Sequence, residues 1–160
     1  MIINMNHISF TVSDLEKSID FYHRILGLEL LDKSDRDVEF SEKVTGIRGA
    51  RLKIAYLRTT NCAVELIQYL SPQGVQLDTK TCNIGSAHVC FIVDRFHKMV
   101  KKLEENNVRF SGEPALIPGG PNKGKAVLYF EDNDSNTIEI ISKSVVTKKR
   151  GRYEENQNRY

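Results

Sequence analysis

The sequence predicts an α+β protein built as two βαβββ modules in tandem. Three observations carry that expectation. Strand-like alternation gives way to helical spacing twice along the chain. Two turn-centred hairpins end in closely similar apolar strands, and the two halves align with one another.

The first strand is "HISFTV", in which Ile8, Phe10 and Val12 alternate with His7, Ser9 and Thr11 and so face opposite sides. "SDLE" follows as a capping box, with Ser13 accepting from the backbone three residues on and Glu16 reaching back. Leu15, Ile19, Tyr22 and Leu26 fall at helical spacing, and Gly27 ends the helix. "LELLDK" reads as a short second strand, and "YLRTTNCAVELI" (56 to 67) as a hairpin. From His88 the grammar returns. "HVCFIV" is a strand, Asp94 a helix cap, and Phe96, Met99, Val100 and Leu103 one helical face. "VRFSG" is a short strand, and "YFEDNDSNTIEII" (129 to 141) repeats the first hairpin with one residue inserted in its turn. The modules therefore span about 1–70 and 85–142 with a linker at 71–84, forming one domain over 1–142. Residues 143–160 read as a flexible, basic polar tail.

Composition narrows the class. Of 160 residues, 40% are apolar and 28% charged, as in ordinary globular domains. No apolar run approaches the roughly 18 residues that span a bilayer, and "MIINMNHISF" lacks the pattern of a signal peptide. Cys62, Cys82 and Cys90 give an odd count with no CxxC pair, which predicts reduced thiols and a cytoplasmic protein. The tail holds six Lys/Arg against two Asp/Glu, so the body, with 17 basic and 19 acidic residues, is slightly negative. The body therefore predicts neither a nucleic-acid partner nor a membrane.

Each module adds two polar anomalies at matching places. His7 and His88 open the first strands; Glu65 and Glu139 sit in the last ones, between Val64 and Leu66 and between Ile138 and Ile140. A carboxylate among such neighbours is rarely buried unless paired, protonated or bound to a metal. Taken singly, each histidine reads as a hydrogen-bonded structural residue and each glutamate as an edge residue. Taken as repeated positions, the four form a donor set suited to Zn, Ni, Fe, Mn or Co. His23 and His97, on the helices, read as surface or cap residues, and Asp132 and Asp134 as turn formers. On "IPGGPNKGK" two readings stand: a wide turn, or backbone amides with Lys123 and Lys125 gripping an anion.

In "NHISFTVSDLEKSIDFYHRILGLEL", "VELIQY", "SAHVCFIVD" and "LYFEDNDSNTIEII", residues 3 to 142 resemble the vicinal oxygen chelate superfamily, which includes glyoxalase I, methylmalonyl-CoA epimerase, extradiol dioxygenases and fosfomycin and bleomycin resistance proteins. The resemblance implies a cupped mixed sheet around one divalent metal (Ni, Zn, Co, Mn or Fe) with no organic cofactor. It implies His7, Glu65, His88 and Glu139 as ligands, a small-molecule substrate and a homodimer. Glyoxalase I is the nearest pattern, with Glu139 as proton-transfer base and Glu65 as ligand or reciprocal acid. Where glutathione-dependent bacterial members carry Arg and Asn, this chain has Thr11 and Tyr69, which implies a different substrate contact at both. Cys90, on the face of His88, is expected to line the pocket. Segment 33–52 is expected to form a lid, with Glu42 a further proton-transfer candidate. The implied chemistry is lyase, isomerase or epimerase activity on a small carbonyl or acyl-thioester compound. The alternatives are an Fe(II) extradiol dioxygenase or a non-catalytic drug-binding protein of the same fold.

Overall fold

A computed structural model describes residues 1–149 and 151–155. The chain divides into two compact units, Met1–Leu77 and Asp78–Tyr160, and the boundary falls inside the expected linker. Among the described residues no helix is long and apolar enough to cross a membrane.

The first unit runs β1 (His7–Thr11), α1 (Leu15–Asp20), β2 (Glu29–Arg36), α2 (Val38–Thr45), β3 (Arg51–Arg58) and β4 (Ala63–Ser71). Its four-stranded sheet has the order β1-β4-β3-β2, with β1 parallel to β4 and the other pairs antiparallel. The second unit runs β5 (His88–Val93), α3 (Phe96–Glu105), β6 (Ala115–Leu116), β7 (Ala126–Glu131) and β8 (Thr137–Ser142). Its sheet order, β5-β8-β7-β6, repeats the first with the same strand directions. The tandem βαβββ architecture is thus the observed one.

The pleat decides what each sheet face does. In the first unit Val64 and Leu66 of β4 and Ala55 and Leu57 of β3 are almost wholly buried. They form the face against which α1 packs, with Leu15 and Tyr22 at its centre and Phe10 stacked on Tyr22 at 6.1 Å. In the second unit Ile138, Ile140, Leu128 and Phe130 are buried on one face, together with Phe96, Val100 and Leu103 of α3. Burying each of these large side chains contributes roughly 1.5–3 kcal/mol. Residues between them in the strands necessarily face the other way.

The helix caps and one short strand differ from the sequence expectation. The cap of α1 is Asp14 rather than Ser13: its backbone is extended, and its carboxylate accepts from the amides of Glu16 at 3.1 Å and Lys17 at 3.2 Å. Ser13 instead offers its carbonyl to Gln68 Nε2 at 2.9 Å, tying the helix start to β4. After Asp20 the helix widens into a π-helical turn, Phe21–Ile25, before Gly27 at φ 84° reverses the chain. Asp94 is not the cap of α3; Arg95 holds that place without a side-chain bond, and Asp94 pairs with its guanidinium at 3.6 Å. "VRFSG" makes only an isolated bridge, Phe110 with Phe130, and the short strand is Ala115–Leu116.

Segment 33–52 is largely regular structure rather than a loose lid. β2 continues to Arg36, Asp37 caps α2 by accepting from Phe40 N at 2.8 Å, and Ser41 is fully buried. The tail read as flexible forms a hairpin over its described part, β9 (Val146–Lys149) with β10 (Arg152–Glu155). Val146 and Tyr153 anchor it: Tyr153 meets Phe96 edge-on at 5.4 Å and donates its hydroxyl to the Pro114 carbonyl. Residue 150 and residues 156–160 of that tail lie outside the described residues.

If the hairpin is part of the second unit's core, Tyr153→Ala lowers the unfolding free energy by about 2–4 kcal/mol in urea denaturation. An unchanged midpoint would return this segment to the status of a solvated tail.

Candidate metal centre

On the face opposite α1, register assembles a polar trio. β1 brings Ser9 opposite Glu65 of β4, and β3 brings Tyr56 opposite the same Glu65. His7, two residues before Ser9, shares this face, and its Nε2 lies 3.3 Å from Glu65 Oε2. Tyr56 donates its hydroxyl to Glu65 Oε1, so each carboxylate oxygen has its own partner. On the far side of the imidazole, Nδ1 meets Asn6 Oδ1 at 2.8 Å. A carboxamide oxygen only accepts, so Nδ1 carries a hydrogen, and Nε2 is the ring nitrogen that faces Glu65.

The second unit builds the same trio. Cys90 and Tyr129 both stand opposite Glu139, and His88 shares their face. His88 Nε2 lies 3.2 Å from Glu139 Oε2, and Tyr129 donates to that oxygen at 3.1 Å. The rings of His88 and Tyr129 pack at 5.2 Å, as those of His7 and Tyr56 do at 5.5 Å. Partial burial, then the hydrogen bond and charge of the neighbouring glutamate, push both tyrosine hydroxyls up to about 12. Both tyrosines therefore remain donors to the carboxylates at any physiological pH. Cys90 keeps an open surface but loses part of its hydration to its neighbours. That loss, with the adjacent Glu139 charge, pushes its thiol up to about 12 as well. Its thiol is therefore neutral here, not a thiolate.

Each histidine–glutamate pair suits two neighbouring ligands of one ion. With metal–ligand bonds of about 2.0–2.2 Å, adjacent donors lie roughly 3.0–3.4 Å apart, which brackets the two observed separations. Each unit supplies two such donors. Among the described residues, neither unit alone groups three or more His, Cys, Asp or Glu side chains so as to hold a metal.

The remaining expected contacts divide. Thr11 lies on the His7 face opposite Ile67, and Tyr69 on the Glu65 face opposite Leu52. Lys125 precedes β7 in phase with Tyr129, near enough to Cys90 to draw its thiol's pKa down against the larger upward effects. Lys123 is exposed in the turn. The anion cradle is not formed by these amides: Lys123 N, Gly124 N and Lys125 N donate to the carbonyls of Gly120, Ile117 and Asn122. That closes a wide turn and commits these three amides within it. Glu42 is likewise committed locally, accepting from Gly49 N at 3.0 Å across the end of α2. His23 closes the turn after α1, donating Nδ1 to the Leu28 carbonyl at 2.7 Å. Asp132 organises the β7–β8 turn by accepting from the amides of Asp134 and Asn136.

Tyr56 and Tyr129 are the residues that sequence reasoning missed. The signal was present, since both hairpin segments begin with Tyr, nine residues before Glu65 and ten before Glu139. Tyrosine is so ordinary in a strand that only the shared position marks it.

The chain belongs to the Glyoxalase/Bleomycin resistance protein/Dioxygenase superfamily, whose sequence model matches residues 4–140. It is 26% identical over 147 residues to a 2-epi-5-epi-valiolone epimerase of Actinomyces sp, covering 88% of this chain and 79% of that one. It is 32% identical over 142 residues to the metallothiol transferase FosB of Staphylococcus epidermidis, covering 87% and 81%. Lactoylglutathione lyases and a mitochondrial methylmalonyl-CoA epimerase are further relatives, and the chain spans 43% of the Arabidopsis thaliana lyase. A glyoxalase family protein from Bacillus cereus shares the fold with a TM-score of 0.75 at 22% identity, covering 89% of this chain and 95% of that one. The relatives thus include lyases, epimerases and transferases.

The tyrosine shifts set an alkaline pH dependence. The folded state holds these protons to about 12 and the unfolded chain releases them near 10.0, so unfolding sheds protons and stability falls as pH rises through that window. In metal-free protein, absorbance titration should show Tyr56 and Tyr129 ionising well above the usual tyrosine range. The double variant Tyr56→Phe/Tyr129→Phe should reduce the amplitude of that raised phase; an unchanged amplitude would show that other residues produce it.

Proposed function

We propose that the protein is a divalent-metal-dependent, glyoxalase-like lyase or isomerase acting on a small carbonyl or acyl-thioester compound. The observation that supports this most is the twice-built trio, in which a glutamate in an apolar strand meets a histidine Nε2 and a tyrosine hydroxyl. His7, Glu65, His88 and Glu139 are the proposed ligands, for Ni, Zn, Co, Mn or Fe. Relatives that are lyases and epimerases support a reaction in which a proton moves between or across carbons. Thr11 and Tyr69 replace the contacts of glutathione-dependent members, so glutathione is not the proposed thiol.

When bound, the metal supplies a Lewis acid for a substrate carbonyl, which acidifies the neighbouring C–H. Glu139 is the proposed base that takes this proton and returns it elsewhere. The two carboxylates differ in a way that favours this division. Tyr56 and His7 hold separate oxygens of Glu65, whereas His88 and Tyr129 both act on Oε2 of Glu139. Glu65 is thereby held at both oxygens as a ligand. Tyr129 orients Glu139 from one side, and Cys90 stands beside it as neutral wall.

Metal analysis after reconstitution with each of the five cations should find roughly one ion per four-ligand site; a protein that retains none sinks the enzyme reading. With metal bound, Glu139→Gln should remain folded by circular dichroism and lower exchange of the substrate C–H with solvent by about 10²–10⁴-fold. Exchange at the wild-type rate would remove Glu139 from the role of base.

A further inference from the structure

Strand β2 of the first unit carries a cation that the proposed metal ligands do not use. Register places Asp32 opposite Tyr56, Ser34 opposite Ile54 and Arg36 opposite Leu52, so these residues of β2 share the face of Tyr56 and Glu65. The three are linked along the strand. Arg36 Nη1 donates to Ser34 Oγ at 2.7 Å, and Ser34 Oγ donates to Asp32 Oδ2 at 2.7 Å. The guanidinium is thus folded back along β2 toward the row of Tyr56 and Glu65. Its charge reaches the Tyr56 hydroxyl, where it partly opposes the upward shift.

Arg36 is half-buried, yet it lacks the partner that its neighbours have. Lys33 of the same strand pairs with Glu16 at 2.7 Å, and Arg58 of β3 pairs with Glu29 at 2.6 Å. Among the described residues no carboxylate lies within 4.0 Å of the Arg36 guanidinium. Both of its hydrogen bonds leave from Nη1, the second a long one to the Asp35 carbonyl at 3.4 Å. The Nε and Nη2 donors remain open, and that edge of the planar fork matches the two oxygens of a carboxylate or phosphate. The module does not need this charge for its architecture. The second unit builds the same sheet with Ala115–Leu116 as the corresponding strand.

We propose that Arg36 is the oxyanion-binding residue of this face, and that the substrate is a small carbonyl compound bearing a carboxylate or a phosphate. The inference rests on the functional reading above, which makes this face the substrate-binding one. The rows of Arg36 and Tyr56 are four residues apart along β2, about 13 Å at the backbone. The folded-back side chain narrows that span to one that a small molecule bridges. The anion held at Arg36 then fixes which carbon of the substrate lies beside the glutamates, so Arg36 sets orientation and specificity rather than moving protons.

The test is a nuclear magnetic resonance titration of the full-length, metal-free protein with inorganic phosphate in one arm and acetate in the other. Saturable shifts are expected at Arg36 Nε and the Tyr56 ring, and the arm that saturates at lower concentration identifies the preferred oxyanion. Arg36→Gln should weaken binding by roughly tenfold or more, with Arg36→Lys intermediate because it keeps charge but loses the fork. Circular dichroism checks that both variants fold. Equal affinity in wild type and Arg36→Gln, or no saturable shift at Arg36 in either arm, overturns the proposal. The two readings fail separately: Arg36-dependent phosphate binding without any metal uptake overturns only the metal-enzyme reading. Metal uptake with Arg36-independent anion binding overturns only this one.

Discussion

A carboxylate set between branched aliphatic residues on a sheet must find donors, because a buried, unpartnered charge costs far more than a strand can return. Glu65 and Glu139 meet that constraint in the same way, and much else in each unit follows from it. The partners have to come from the two strands flanking the carboxylate. The antiparallel neighbour supplies a tyrosine donor, and the parallel neighbour sets a histidine Nε2 beside the carboxylate. That fixes β4 and β8 between their partners and sets the register on both sides. A slip of one residue would carry the glutamate into the helix-packed face.

The same constraint separates two tasks within one strand. Val64 and Leu66, or Ile138 and Ile140, bind the sheet to its helix, while the glutamate between them faces the polar side. Stability and chemistry thus alternate residue by residue. The tyrosines add to this division. Held protonated by partial burial and by the glutamates themselves, they give hydrogen bonds without adding charge.

The two units repeat the trio but not its surroundings. Ser9 corresponds to Cys90, Thr11 to Ile92 and Leu52 to Lys125, and the long β2 with Arg36 corresponds to a two-residue strand. The two carboxylates are also bonded differently, Glu65 through both oxygens and Glu139 through Oε2.

The alternation of "HISFTV" and "HVCFIV", the spacing of Phe96, Val100 and Leu103, and the doubled hairpin were enough to determine the tandem βαβββ fold. Periodicity is a property of the chain itself, and repetition multiplies it. The histidines and glutamates were legible for the same reason, as polar residues breaking an apolar pattern twice. Other features were settled only in three dimensions. Asp14 rather than Ser13 is the cap, and Gln68, distant in sequence, ties the Ser13 carbonyl to β4. The described part of the tail is anchored by Tyr153 against Phe96 and Pro114, contacts that no local composition announces. The partners of Glu65, the open edge of Arg36 and the closed amides of the Lys123 turn all depend on which strands lie side by side. Side-chain chemistry is written along the chain, but hydrogen-bond partnership is a relation across it, and only tertiary structure decides that.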